Sequence, residues 1–365
     1  MWSSDIRQEG AEAVAERLAR HHINKVFFLV KGTSGSVCYP SKLAPGPESG
    51  QDALKAILDA CHKRHIEVHA WYMFNSDTAW GRKHPEDIMW VAGKPQAWNL
   101  GPQPATEAQS IHICPLSQGY RAHIKSLIQE VLDRYPVDGI HLDGIRYTHA
   151  QFCFCPHHQA LAATNGIHLE KVRQAIYDTF YAADKKRECY FNLDRAGDPD
   201  VAEWVSLREK AIDQAIKEIR EVVKGKNPSL VLSAAFMPEG GEPDDTFARC
   251  HYAQNYASAG SQLDYILPMT YHKSFGKGPE WVVRVAQNAE SKSHRPVYSG
   301  IQAFERDPSK RTQPADDKTG KPEAQGISAQ ELRDTVTTVE KRGIKGFVLF
   351  RYGSVTDQMW EDLPQ

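Results

Sequence analysis

Short apolar runs that alternate with amphipathic segments constrain the fold of this chain more than any other feature. Gln118–Tyr135 and Trp204–Lys224 carry apolar residues at helical spacing, and Ser328–Glu331 is a capping box that predicts the start of a further helix. Strands that alternate with helices build parallel βα units. The predicted strands are Lys25–Lys31, Ile66–Phe74, Val137–Asp143, Leu230–Phe236, Asp264–Tyr271, Pro296–Ala303 and Gly346–Arg351.

This order predicts an α/β fold, namely a (β/α)8 TIM barrel with a truncated first strand, of which Met1-Trp2 is the remnant. The chain has 365 residues, 41% of them hydrophobic, so it can bury a large core, and we expect a single domain over residues 1–365. Pro268 predicts a local irregularity in its strand, because proline is disfavoured in central strands. The polar stretch Asp307–Gln325 predicts an exposed loop.

Charge and hydropathy restrict the partners. The formal net charge of -2 and the pI near 6.8 provide no basic field for nucleic acid or for an anionic membrane. No stretch reaches the roughly 20 apolar residues of a membrane span, and the N-terminus lacks the layout of a signal peptide. A neutral or weakly charged substrate fits this surface best, and the oligomeric state is not predicted.

The run Val137–Tyr147 places ionisable side chains in a strand that should be buried. Side chains alternate across a strand, so Ile140 and Leu142 share one face while His141 and Asp143 share the other. A buried charge is costly unless it is paired or used in chemistry. This pattern predicts a barrel strand with Asp143 at its C-terminal end, where (β/α)8 barrels hold their active sites.

The segment Tyr120–Tyr147, which ends in Asp138-Gly139-Ile140-His141-Leu142-Asp143-Gly144-Ile145-Arg146-Tyr147, resembles the glycosyl hydrolase-like GHL10 barrels. Further matches lie at Val26–Lys31, Val68–Trp71, Asp264–His272 and Gly346–Phe350. The resemblance implies a (β/α)8 glycosidase, similar to barrels that hydrolyse exopolysaccharides rich in amino sugars, including poly-N-acetylglucosamine. It also favours a periplasmic or extracellular location. The chain departs from the family pattern at Met237–Asp245.

Glycoside hydrolysis needs a general acid and a second carboxylate that acts as nucleophile or activates water. Asp143 is the first candidate, with Arg146 to orient its charge and Tyr147 to donate a hydrogen bond, although Asp143 and Arg146 could form a purely structural ion pair. Acids that follow Leu230–Phe236 supply the second. Glu239 is our choice because it lies nearest the strand; a solvated loop charge is the alternative. The others are Glu242, Asp244 and Asp245.

Other polar and aromatic residues near predicted strand ends complete the proposed substrate site. They can bind hydroxyl or acetamido groups or stack on sugar rings, although the histidines could equally be satisfied interior residues. With Arg146, Tyr147 and Glu242, the predicted substrate-binding residues are Lys31, His69, Trp71, Asn75, His141, Tyr271, His272, Gln302 and Arg351.

Seven cysteines, an odd number, leave at least one thiol without an intrachain partner. Cys153 and Cys155 could hold zinc with Cys114 or another partner, but one intervening residue is a weak match to zinc spacing, and a structural loop is the favoured interpretation. We expect no cofactor and no catalytic metal. Two alternatives to a glycosidase stay open: a carbohydrate-binding barrel without turnover, and, less favoured, a metal-dependent deacetylase that uses histidines and Asp143.

Overall fold

The computed structural model describes residues 1–106, 110–181, 197–304 and 326–364. The predicted strands all occur, several with shorter bounds, because the chain turns away at their ends. A small antiparallel hairpin, Trp90–Val91 with Gln103–Pro104, is added in the segment after the second strand. The strands are β1 (Lys25–Lys31), β2 (Glu67–Met73), β3 (Trp90–Val91), β4 (Gln103–Pro104), β5 (Gly139–Asp143), β6 (Val231–Phe236), β7 (Tyr265–Pro268), β8 (Ser299–Gln302) and β9 (Phe347–Phe350).

The large strands run parallel and in sequence order. β1, β2, β5, β6 and β7 form one sheet, and β8 pairs with β9. A parallel bridge between Ile266 and Val297 joins β7 to the segment that leads into β8. Met73 of β2 is in register with Asp143 of β5. All the C-terminal strand ends therefore meet at one face, as the predicted βα pattern requires.

Helices cross between successive strands, and their apolar faces pack on the sheet. The helices over Gln118–Arg134 and Pro199–Lys226 confirm the two predicted amphipathic segments, and Ser328 and Glu331 form the predicted capping box of a further helix. The helices are α1 (Ser3–Glu9), α2 (Ala11–Arg20), α3 (Ala53–His62), α4 (Thr78–Lys83), α5 (Gln118–Arg134), α6 (Pro156–Thr164), α7 (Leu169–Phe180), α8 (Pro199–Lys226), α9 (Thr246–Tyr252), α10 (Ser258–Ser261), α11 (Pro279–Ser293), α12 (Ala329–Lys341) and α13 (Asp357–Asp362).

The described strands form an arc and not a closed barrel. Met1 lies beside β1 in the manner of a neighbouring strand: its amino nitrogen donates to Phe27 O at 2.9 Å, and its carbonyl accepts from Leu29 N at 2.9 Å. Between β9 and β1 the described residues leave a cavity where a closed barrel would have strand pairing. The sequence therefore predicted the parallel α/β architecture, while barrel closure is not observed.

The core lies between the arc and the helices. Ile140 and Leu142 of β5 are fully buried, as the alternation predicted. Pro268 ends β7, which is shorter than predicted because proline cannot donate to a sheet ladder. The predicted loop Asp307–Gln325 lies outside the described residues. Among the described helices, none is both long and apolar enough to cross a bilayer.

Candidate active site

A cavity of about 610 Å³ lies along the inner side of the arc, and its upper part is formed by the C-terminal strand ends. Asp143, Tyr271 and Arg351 line this upper part, while Trp71 and His141 line the middle. Two further carboxylates line the cavity, Glu67 at the start of β2 and Glu340 near the end of α12. Within the described chain, Asp143 is therefore the cavity's one carboxylate at the C-terminal face.

The end of β5 holds the Asp143 carboxylate in a defined position. Gly144 N donates to Asp143 Oδ1 at 2.6 Å, and the Arg146 guanidinium lies 3.4 Å from the same oxygen. Gly144 has a φ of 64°, so the tight turn after β5 uses a backbone conformation that favours glycine. Both of these contacts go to Oδ1, and Asp143 lines the cavity.

Aromatic rings form one wall beside Asp143. The rings of Tyr271 and Phe350 stack with centroids 5.4 Å apart, and Trp71 meets Phe350 edge-on at 6.3 Å. Burial, and then the nearby Asp143 carboxylate, raise the pKa of Tyr271, so its hydroxyl stays protonated and can donate a hydrogen bond. Flat apolar rings next to a carboxylate suit a sugar ring, whose faces are apolar and whose edges carry hydroxyls.

The loops after β2, β5 and β6 are tied to one another behind the cavity. Asn75 donates through its side-chain amide to the Arg146 carbonyl. Gln254 donates to Ile145 O at 3.2 Å and accepts from Met237 N at 2.8 Å, so one buried side chain joins the β5 and β6 loops. The sequence analysis did not identify Gln254, because nothing local marks a glutamine that bridges two distant loops.

Two histidines that were predicted to bind substrate, His141 and His69, have polar partners within the protein. His141 Nδ1 lies 2.9 Å from Ser233 Oγ, and burial lowers the pKa of His141 to about 3. Its imidazole is therefore neutral at ordinary pH and cannot act as a general acid there. His69 lies at the opposite end of the strands, where Nε2 is 3.2 Å from Glu67. Among the described residues, neither histidine joins Asp143 in a group with metal-ligand spacing.

Several predicted substrate-binding residues have their side chains engaged away from the cavity. Lys31 is fully buried, and its ammonium lies 3.2 Å from Asp77. Tyr147 is fully buried with its hydroxyl 2.7 Å from His158 Nε2. Both side chains therefore have a structural partner, and within the described chain neither lines the cavity.

Further predicted residues lie against outer helices and loops. His272 contacts Thr335 of α12 at 3.3 Å, and Gln302 accepts from Ser274 N at 3.1 Å. Glu242 accepts from the Trp281 indole N–H of α11. Arg351 does line the cavity, but its guanidinium also covers the Trp2 ring at 3.7 Å and lies 3.5 Å from Asp5.

Glu239, the predicted second carboxylate, lies in a short 3-10 turn, Pro238–Gly241, after β6. It is half-buried on the same face as Asp143, but within the described chain it is not part of the cavity lining. Its charge adds to burial in raising the pKa of Tyr256. The structure thus places the two predicted carboxylates after neighbouring strands but brings only Asp143 to the cavity wall.

Solved structures identify the class of fold. The glycoside hydrolase domain of PgaB (BpsB) from Bordetella bronchiseptica matches with a TM-score of 0.69 at 13% identity, over 95% of this chain and 89% of that domain. A beta-galactosidase from Marinomonas ef1 matches with a TM-score of 0.67 at 12% identity, over 99% of this chain and 57% of that enzyme. At this identity the likeness shows the fold, which is of the type found in barrel glycoside hydrolases.

The family follows from sequence comparison. The family model described as Glycosyl hydrolase-like 10 matches residues 2–315, and the chain belongs to this family. Glycosyl hydrolase DigH of Escherichia coli (strain K12) is 31% identical over an alignment of 163 residues, which covers 39% of this chain and 35% of DigH. Glycosyl hydrolase YngK of Bacillus subtilis (strain 168) is 23% identical over an alignment of 287 residues, which covers 68% of this chain and 46% of YngK. The chain spans less than half the length of these curated relatives. The family predicted from the β5 sequence is confirmed.

Proposed function

We propose that this protein hydrolyses glycosidic bonds in a complex polysaccharide or oligosaccharide, with amino sugars among its residues. One observation carries the proposal: Asp143, oriented by Gly144 N and Arg146, lies beside a wall of aromatic rings in a cavity at the C-terminal strand ends. That combination supplies a fixed carboxylate and stacking surfaces, which oxocarbenium-like chemistry on a sugar needs. Membership in a glycosyl hydrolase-like family, with relatives named glycosyl hydrolases, supports the reaction type.

In the proposed mechanism Asp143 contacts the sugar, and Glu239 is the second carboxylate. Glu239 acts as the nucleophile or activates water if substrate binding moves it from the turn after β6 to the mouth of the cavity. If the sugar carries an acetamido group at C2, the acetamide oxygen can attack the anomeric carbon instead. Asp143 then protonates the leaving oxygen as the general acid, and Glu239 is dispensable. The position of Asp143 as the cavity's one upper carboxylate in the described chain fits this second route.

Product release from a panel of amino-sugar and neutral polysaccharides tests the proposal. Asp143→Asn should lose at least about a hundredfold in kcat/KM, a loss of about 2.7 kcal/mol in transition-state stabilisation. Glu239→Gln separates the two routes, because only a two-carboxylate mechanism needs it. Glu242→Gln is the matched control, since Glu242 is bound to Trp281 away from the cavity. Equal rates for the native protein and Asp143→Asn would refute the role of Asp143.

The second candidate function is carbohydrate binding without turnover. The same observation favours it: within the described chain, a single carboxylate lies at the upper cavity wall, whereas most glycosidases use two. Isothermal titration with the same glycans separates the two candidates. Binding to the native protein without product release from any glycan would support the binding barrel.

A further inference from the structure

Four buried side chains outside the cavity converge on one point behind the β5 loop. Sγ of Cys114, Sγ of Cys153, Sγ of Cys155 and a ring nitrogen of His158 all lie within 4.8 Å of one another. We call these residues the Cys3His cluster. Every one of them is 1% exposed or less. Neither the proposed hydrolysis nor the family membership accounts for three thiols and an imidazole gathered in the protein interior.

The distances within the Cys3His cluster match the edges of a metal tetrahedron. His158 Nδ1 lies 3.3 Å from Cys114 Sγ and 3.5 Å from Cys155 Sγ. Zinc binds thiolates at about 2.3 Å and imidazoles at about 2.0–2.1 Å, so ligand atoms on a tetrahedral ion lie roughly 3.5 Å apart for sulfur and nitrogen. A disulfide could join only two of the three sulfurs, and it would leave the imidazole and one thiol without a role.

Backbone and helix geometry around the Cys3His cluster favour thiolates. Leu116 N donates to Cys114 Sγ at 3.4 Å, and Trp90 N donates to Cys153 Sγ at 3.4 Å. Cys155 is the N-cap of α6, where the helix dipole stabilises negative charge. The thiolate is the form of cysteine that binds metal.

The surroundings also supply an orienting partner for the imidazole. His158 turns Nδ1 to the sulfurs, while Nε2 lies 2.7 Å from the Tyr147 hydroxyl. A histidine that binds metal through one nitrogen usually donates its other N–H to a fixed oxygen. Tyr147 provides that oxygen.

A buried cation completes the charge balance. Arg208 is 1% exposed, and its guanidinium covers the Tyr147 ring at 4.4 Å. In the described part of the chain its Nη1 and Nη2 nitrogens donate to carbonyl oxygens, including Cys250 O at 2.6 Å, and it forms no carboxylate ion pair. A divalent ion with three thiolates carries a net charge of -1. Arg208 would neutralise it, which explains an otherwise costly buried guanidinium.

From this geometry we propose that the Cys3His cluster is a structural zinc site. All four positions are filled by protein ligands, so the ion has no open position for substrate and acts as a clamp. It joins three segments: the loop before α5, the loop that pairs with β3, and the first turn of α6. Through Tyr147 it fixes the outer side of the loop whose inner side carries Asp143. The proposal stands independently of the proposed hydrolysis, because it is tested by metal content.

Metal analysis of the full chain, purified without chelators from zinc-supplemented medium, is the test. We expect about one zinc per chain, and we expect a thiol-blocking mercurial to release it stoichiometrically to a chromogenic chelator. Cobalt substitution should give the visible bands of a tetrahedral thiolate site. The release assay uses the native protein, so the test does not depend on the folding of a variant. Zinc below about 0.1 per chain, or a disulfide between two of the three cysteines in intact-mass analysis, would overturn the proposal.

Variants then assign the ligands. Cys114→Ser and Cys153→Ser should each lose most of the bound zinc, while Cys61→Ser, a buried cysteine of α3, should retain it. Tyr147→Phe keeps all four ligands but removes the hydroxyl. It should weaken zinc binding by about 10–100-fold in competition with a chelator, while the native stoichiometry is reached at saturating zinc. Full zinc retention in both serine variants would overturn the assignment.

Discussion

Replacing Lys31 by methionine should destabilise the protein, because Lys31 is a buried ion-pair partner at the end of β1. Its ammonium lies 3.2 Å from Asp77 and donates to Met73 O and Ser76 O at 2.9 and 2.8 Å. Removing one partner of a buried pair costs about 3–5 kcal/mol, since the other charge stays buried. An unfolding entropy of about 2.1 cal/mol/K per residue gives about 0.8 kcal/mol/K for 365 residues. Tm should therefore fall by about 4–6 °C.

Differential scanning calorimetry measures this shift, and the same strand provides the control. Lys25→Met removes the pair between Lys25 and Glu67, whose side chains are 22% and 51% exposed, so Tm should change by less than about 1.5 °C. The double variant Lys31→Met/Asp77→Leu should recover part of the loss, because no charge is left unpaired. Recovery stays incomplete, since Asp77 also caps α4 through Trp80 N.

The outcome decides between two roles for Lys31. The sequence predicted a sugar contact, while the structure places the side chain in an ion pair. If Lys31→Met melts within about 1 °C of the native protein yet loses glycan binding, the buried-pair argument is refuted and the ammonium contacts substrate. A lower Tm with unchanged glycan affinity at a temperature where the variant is folded supports the structural role.

Three further predictions follow from the strand ends. Burial holds the pKa of His141 at about 3, below its unfolded value of 6.5, so between these pH values the unfolded chain binds a proton that the folded chain does not. The free energy of unfolding should therefore fall as pH falls, by about 1.4 kcal/mol per pH unit. Urea unfolding at several pH values measures this dependence, and in His141→Gln the contribution of His141 to it should be lost. Gly144→Ala puts a Cβ at a φ of 64° and 3.3 Å from Met73 Cε. Calorimetry should show a free energy of unfolding lower by about 1–2 kcal/mol, and turnover should drop because Asp143 shifts. An unchanged stability and turnover would contradict the strained turn. Tyr271→Ala should weaken oligosaccharide binding about fivefold in isothermal titration, while Tyr271→Phe, which keeps the ring, should bind within about twofold of the native protein. Equal affinity in Tyr271→Ala would remove stacking from the proposal.

The strand pattern could be predicted from sequence because periodicity is a local property. Ile140 and Leu142 are buried against the helices, and His141 and Asp143 reach the cavity, as a period of two requires. Barrel closure depends instead on how the last strand meets the first, which no local pattern encodes. The described chain leaves a cavity between β9 and β1.

Side-chain roles at the strand ends were harder to predict, because position along a strand does not determine which partner arrives from elsewhere. Lys31 lies at a strand end as predicted, but Asp77 returns from the start of α4 and binds it. Tyr147 follows Asp143 closely, yet its hydroxyl meets His158 of α6. Each partner comes from a different segment, and only the folded chain brings them together.

The Cys3His cluster was also hard to predict from sequence, because its residues come from separate segments of the chain. The spacing of Cys153 and Cys155 is a weak zinc signal by itself, because it supplies only one pair of ligands. Cys114 lies in the loop that precedes α5 and β5 in the sequence, whereas Cys153 and Cys155 follow β5. His158 is placed by the first turn of α6. The β5 loop therefore lies between two sites: Asp143 lines the cavity, and the Tyr147 hydroxyl contacts His158 of the Cys3His cluster. A change on the metal side should reach Asp143 through this short loop, so the two sites are best studied together.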